Sequence, residues 1–119
     1  MSKETVVRAY LKAMEVSDLD GVLACFTADG VINSPVYGRV PVREFSQRLF
    51  GDTVKAEVDI YCLYTGIGQA DRIAAHFGYV WLKKDGTRIE TDLVDLFTFN
   101  AGSDLIAELK IIFDTAAKK

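Results

Sequence analysis

An α+β domain is the fold class this sequence predicts, and a change of hydrophobic period along the chain is the main reason. Apolar residues recur at helical spacing early on and at every second position from about Val54 onward. Two turn-forming stretches, Asp85-Gly86 and Asn100-Ala-Gly-Ser-Asp104, cut the later region into long segments that read as an antiparallel meander. The whole of residues 1–119 is expected to form one domain, because a chain of this length encloses a single core.

The elements follow in order. Val6, Val7, Tyr10, Leu11 and Met14 share one side of a first helix, with Lys3, Arg8, Lys12 and Glu15 on the other. Ser17 followed by Asp20 resembles a capping box, so a second helix begins there. Its apolar stripe is Leu19, Val22, Leu23 and Phe26, and Asp29-Gly30 ends it. A short strand, Val31 to Ser34, breaks at Pro35. Pro41 starts a third helix that buries Val42, Phe45 and Leu49 and stops near Gly51. From Val54 to Tyr64 the even-numbered residues are apolar, against Lys55, Glu57 and Asp59, as in a half-buried strand. Further strands are expected at about Ile73–Lys83, Thr87–Phe99 and Leu105–Phe113, with Leu105, Ala107, Leu109, Ile111 and Phe113 on one face of the last.

Both faces of the central strands are apolar. One carries Leu93, Asp95, Phe97 and Phe99; the other carries Val94 and Leu96. Parity adds Phe77, Tyr79 and Trp81 to the second set. Three helices cover only one side of a sheet, so this outer set predicts a homodimer through the sheet. The same reading favours an interface over a ligand-stacking box for the three aromatics.

Composition narrows the function classes. The net charge of −3 comes from 14 basic and 17 acidic residues scattered along the chain, which argues against a nucleic-acid partner. No apolar run is long enough to span a bilayer, and no basic cluster suggests a membrane surface. The first residues, Ser2-Lys3-Glu4, lack the apolar stretch of a signal peptide, so the expected location is cytoplasmic. Cys25 and Cys62 sit in apolar patterns and read as small buried hydrophobes. With one histidine and no Cys/His cluster, no metal site is expected. Thr65-Gly66-Ile67-Gly68 is followed by no helix, so it is not a phosphate-binding loop.

Three side chains could carry chemistry. Asp95 interrupts an apolar row, and a carboxylate buried there must be paired, hydrogen-bonded or protonated. It is either a site acid or a structural acid satisfied by a neighbour. If Asp85-Gly86 is a two-residue loop, Lys84 opposes Thr87, Gly78 opposes Leu93, and His76 opposes Asp95 on one face. His76 is then either a satisfied core residue or an acid–base group. Tyr10 lies on the buried stripe of the first helix, and its hydroxyl needs a partner that Asp95 across a cavity would supply. On this register Gly78 and Val80 share the face of Leu93, Asp95 and Phe97.

Val6-Val7-Arg8-Ala9-Tyr10, Ser17-Asp18-Leu19-Asp20-Gly21-Val22 with Phe26, and Asp95-Leu96-Phe97-Thr98-Phe99-Asn100 together resemble ketosteroid isomerase and its SnoaL-like relatives, members of the nuclear transport factor 2-like superfamily. The resemblance implies a cone-shaped, cystatin-like fold: helices packed on a strongly curved, mostly antiparallel sheet. It also implies that Tyr10 matches the family's oxyanion-hole tyrosine and Asp95 the aspartic acid that stays protonated to donate a second hydrogen bond. The family's general-base aspartate falls on Ser34, which is not basic enough to take a proton from carbon, so ordinary steroid isomerisation is not expected. Arg88, Asp92 and Asp114 do not reproduce the aspartate–arginine–aspartate set of limonene epoxide hydrolase. The resemblance therefore implies a cofactor-independent pocket for a hydrophobic, carbonyl-bearing molecule, lined by Phe26, Gly78, Val80, Leu93, Phe97, Leu109 and Ile111 with Ser34, Asn33 and Tyr37 at its mouth. Two readings stay open: an isomerase-, cyclase- or hydrolase-type enzyme, and a ligand-binding or dimeric interaction module without catalysis.

Overall fold

A computed structural model describes residues 2–113, which form three helices and a six-stranded sheet. Helix α1 spans Lys3–Glu15, α2 Leu19–Leu23 and α3 Val42–Asp52. The strands are β1 Phe26–Ser34, β2 Gly38–Pro41, β3 Thr53–Gly66, β4 Gln69–Lys83, β5 Arg88–Phe99 and β6 Ile106–Ile112. Side by side they run β2-β1-β6-β5-β4-β3, and only the β1–β6 pair is parallel. The α+β class and the mostly antiparallel sheet are as the sequence predicts.

Local chemistry sets the helix limits. The Ser2 hydroxyl accepts from the Thr5 amide at 3.1 Å and opens α1, whose apolar stripe is fully buried. Ser17 does not cap α2. It adopts a left-handed φ of 58° where α1 ends, and Asp18 caps instead, accepting from the Gly21 amide at 3.0 Å. Helix α2 is also shorter than expected, because Phe26 to Gly30 belong to β1. The Ile106 amide donates to the Cys25 carbonyl at 2.9 Å, a long-range bond that a continued helix would exclude.

The β4–β5 register differs from the expected one by a single residue. The loop holds Lys84, Asp85 and Gly86: Gly86 donates to the Lys83 carbonyl at 3.0 Å, and Lys83 donates to that of Thr87 at 2.8 Å. Gly86 takes a φ of 92°, which glycine tolerates and which closes the longer turn. Asp95 consequently opposes Ala75, and His76 opposes Val94. A one-residue shift exchanges the faces of every β4 side chain. Phe77, Tyr79 and Trp81 therefore face the helices and are buried, not part of an outer interface, whereas His76, Gly78 and Val80 face outward. Val94 and Leu96 do lie on the outer face, and Leu96 is 39% exposed.

A second parity change lies in β3. Ile60 pairs with Phe77 and Cys62 with His76, leaving Tyr61 as a bulge. Val58 and Ile60 point inward, but beyond the bulge Cys62 and Tyr64 point out. Cys62 is accordingly exposed, unlike the buried Cys25. A further irregularity in β6, between the Thr98↔Glu108 and Phe99↔Ile106 pairs, lets both Ile106 and Leu109 reach the core.

The concave face of the sheet, covered by α1 and α3, holds the core. Phe77 is at its centre and wholly buried. Replacing Phe77 with Ala should lower unfolding free energy by about 3–5 kcal/mol, measured by urea denaturation; a loss under ~1 kcal/mol would mean that Phe77 faces outward after all.

Candidate functional site

Between the concave sheet and the helices lies a cavity with about 520 Å³ of empty space, its open mouth included. That figure counts solvent at the mouth, and the enclosed space is far below the range of about 300–1,000 Å³ common for small-molecule sites. Water centres could occupy only about 50 Å³ of it, so a ligand that fits without rearrangement is compact. Tyr10 and Met14 of α1 form its roof with Phe45 and Leu49 of α3. Phe77, Tyr79 and Trp81 of β4 and alternate residues of β5 form its floor. Ser34, Val36 and Tyr37 border it at the β1–β2 turn, and Ile111 and Phe113 at the other side.

The wall is almost wholly apolar. No Lys, Arg or His lines it among the described residues, and its acid is Asp95. That carboxyl is 2% exposed, and its Oδ1 has no hydrogen-bond partner among the described residues. Burial without a countercharge disfavours the anion and lifts the Asp95 pKa from 3.8 to about 8. Asp95 is therefore a neutral acid at neutral pH, and its carboxyl can donate a hydrogen bond.

Two tyrosines share this environment. Tyr10 is held well above its ordinary pKa first by burial, then by Asp95 and by Tyr79. Tyr79 is raised first by burial and then by Asp95. Both phenols keep their protons, so both are donors. The Tyr10 ring is locked edge-on between Phe26 and Phe97, with centroids 5.6 and 5.8 Å away. Phe26, Phe97 and Leu109 are thus core residues that hold the wall from behind and do not line the cavity.

At the mouth, the Ser34 hydroxyl accepts from the amides of Val36 and Tyr37 at 3.0 and 3.2 Å. It is engaged in folding the turn. Tyr37 packs edge-on against Phe45 and donates to the Asp52 carboxylate at 2.6 Å, which anchors the rim to the end of α3. Burial, then the bond to Asp52, raises the Tyr37 pKa.

The structure thus brings Tyr10, Asp95, Ser34, Tyr37, Leu93 and Ile111 to one cavity. Asn33 does not line it; its strand position alternates with that of Ser34. His76, Gly78 and Val80 are on the opposite face of the sheet, so the expected His76–Asp95 pair does not form. His76 instead approaches Asp92, Nε2 to Oδ2 at 3.6 Å, and meets the edge of Tyr61 at a centroid distance of 5.0 Å. Arg88 shares that outer face, and Asp114 is outside the described residues. Tyr79 and Trp81 are site residues that sequence parity assigned to the wrong face. A glycine at the third position of Lys84-Asp85-Gly86 is the signal that points to a three-residue loop.

The sequence profile of the SnoaL-like domain matches residues 7–109. The chain belongs to the SnoaL-like family. Solved structures agree on the fold. A Catenulispora acidiphila protein with a ketosteroid isomerase-like fold, in complex with trimethylamine, superposes at a TM-score of 0.81 with 15% identity, covering 95% of this chain and 88% of that one. A Pseudomonas putida protein described as a putative polyketide cyclase gives 0.81 at 17% identity, over 98% and 95% of the two chains. An epoxide hydrolase of Mycobacterium tuberculosis, resembling limonene epoxide hydrolase, gives 0.76 at 19%, over 96% and 84%. No curated protein matches by sequence. At such identities the likeness establishes the fold of this SnoaL-like domain and leaves its chemistry to its own residues.

The buried acid has a measurable consequence for stability. Its folded pKa of about 8 exceeds the ordinary 3.8, so between those values the folded state holds a proton that the unfolded chain has lost. The contribution of Asp95 to stability is full below pH 4 and falls as pH rises to 8. Carboxyl-carbon NMR should show a midpoint near 8, and Asp95→Asn should flatten this part of the stability–pH curve. A midpoint near 4 would mean that the carboxyl reaches water.

Proposed function

We propose that the cavity binds a compact hydrophobic molecule through a carbonyl oxygen, with the Tyr10 hydroxyl and the neutral Asp95 carboxyl as paired donors. The observation that carries this reading is a buried, uncharged acid beside a phenol in a wall without Lys, Arg or His among the described residues. Two such donors aimed at one oxygen would stabilise negative charge developing on it, which is the requirement of enolisation and of cyclase-type carbonyl chemistry. Tyr79 adds a third hydroxyl near the same acid. The putative polyketide cyclase among the structural neighbours is consistent with this class of ligand. No cofactor is needed for it.

The catalytic step in this proposal is proton transfer, and among the described residues the cavity offers no ordinary base. Ser34 is occupied by the turn amides and His76 faces away. Steroid isomerisation of the usual kind is therefore not proposed. The same observation favours a second reading, a binding protein that holds a carbonyl ligand without turning it over.

A panel of cyclic ketones and substituted phenols tests both. Binding should move the NMR signals of Tyr10 and Asp95, and Tyr10→Phe with Asp95→Leu, which removes both donors, should weaken it at least about tenfold, the worth of one good hydrogen bond. Unchanged affinity in the double variant would sink the donor-pair reading. Exchange of the ketone α-protons in deuterium oxide separates the two roles: protein-accelerated exchange means proton transfer, and binding without exchange means a ligand carrier.

A further inference from the structure

Aromatic rings line the cavity from every side: Tyr10 and Phe45 from the helices, Tyr37 at the rim, and Phe77, Tyr79 and Trp81 from β4. Neighbouring rings cross at steep angles, Phe77 with Tyr79 at 82° and Tyr37 with Phe45 at 80°, so their planes differ around the space. Each ring face carries partial negative charge and attracts a cation set against it. Asp95 stands among these rings with Oδ1 buried and without a hydrogen-bond partner among the described residues. No Lys, Arg or His of the described residues lines the wall to occupy that oxygen. An acceptor left open is matched by a ligand that donates, and the enclosed space admits only a compact one.

We infer that the cavity also takes a small tertiary alkylammonium ion, its single N–H donated to Oδ1 of Asp95 and its alkyl groups set against the aromatic rings. This ligand class goes beyond the carbonyl reading and does not rest on it. The acid serves the two classes in different states, protonated for a carbonyl oxygen and ionised for an ammonium. Binding of the cation therefore sends the carboxyl proton to solvent, and the carboxylate left behind is paired and hydrogen-bonded at once. With a pKa of about 8 the carboxyl is mostly protonated at pH 7, so ionising it for the cation costs about tenfold in affinity. A primary ammonium fits less well, because two of its N–H groups would face apolar walls. A quaternary ion has no N–H to donate.

The groups around Asp95 leave its proton as the one that moves. Tyr10 of α1 and Tyr79 of β4 are the titratable side chains that sense it, and both stay protonated. Its partner on β6 is Ile111. At the rim, Asp52 accepts from Tyr37, and Arg48 is paired with Glu44 at 2.7 Å. Lys83 is outside the lining, but its ammonium lies 4.9 Å from the centroid of Trp81. Trp81 thus already holds a cation, and the remaining rings carry the site.

Calorimetric titration of the full chain tests this with two probes of similar shape. N-methylpyrrolidine is cationic between about pH 5 and 9, and cyclopentanone is neutral throughout. The dissociation constant of the cation should fall about fiftyfold from pH 6 to 8, with about 0.9 proton released per ligand at pH 7. Cyclopentanone should show the opposite profile, flat to about pH 7 and about tenfold weaker at pH 9. Asp95→Asn should weaken the cation at least about tenfold at pH 8 and abolish proton release. Phe45→Leu keeps apolar bulk but removes a ring, and should weaken the cation about threefold while leaving the ketone within about twofold. Circular dichroism checks that both variants are folded. No binding of the cation at ~10 mM and pH 8.5, binding that ignores pH, or equal affinity in Asp95→Asn would overturn the inference. Cation binding without ketone binding sustains it and removes the carbonyl reading; ketone binding without cation binding does the reverse.

Discussion

The hydrogen bonds that close the β4–β5 hairpin decide which side chains face the helices. Lys83 pairs with Thr87 across a loop of Lys84, Asp85 and Gly86, and that count fixes the pleat of both long strands. From this one register come an aromatic floor of Phe77, Tyr79 and Trp81 under α1 and α3, and an outer surface bearing His76. Had the loop held one residue fewer, β4 would present His76, Gly78 and Val80 to the cavity and expose three large aromatic rings. The buried area of those rings makes the observed register the lower in free energy.

Asp95 is the exception inside that arrangement. The pleat carries it to the concave face with Leu93 and Phe97, where an ionised carboxylate would have neither water nor a cation. The fold resolves the conflict by keeping the proton, and the shift to a pKa of about 8 expresses that choice. An apolar residue would pack there at lower cost, so the acid is a local sacrifice of stability inside a pocket. Tyr10 is held rigidly by Phe26 and Phe97, and a donor fixed by packing need not be ordered when a ligand arrives.

The sequence was informative wherever a property depends on period alone. The apolar stripe of α1, the buried face of α3 and the existence of four long strands are all visible in residue spacing. Asp95 and Tyr10 could be singled out for a similar reason, since polar groups on apolar faces announce themselves. What depends on counting was less accessible. The three-residue loop at Gly86 and the bulge at Tyr61 each change parity by one position, and periodicity does not register such steps. Hence periodicity alone places Phe77, Tyr79 and Trp81 outward, and His76, Gly78 and Val80 inward. The parallel pairing of β1 with β6 was also hidden, because it joins segments remote in sequence.

That pairing bears on how the chain reaches its native state. Phe26 lies beside Ile106, so the ladder joining β1 to the rest of the sheet closes over roughly eighty residues. On a ribosome, β1 emerges early and waits for β6 with its edge unsatisfied, while the β3–β4–β5 meander forms from near neighbours. The wait exposes a strand edge during synthesis, and long-range closure of this kind slows folding. The long-range closure is the pairing of β1 with β6, which already neighbours β5 in sequence, and it brings Ser34 and Tyr37 to the mouth of the cavity. The cavity is therefore complete only when that long-range pair has closed, since its lining comes from both sides of it.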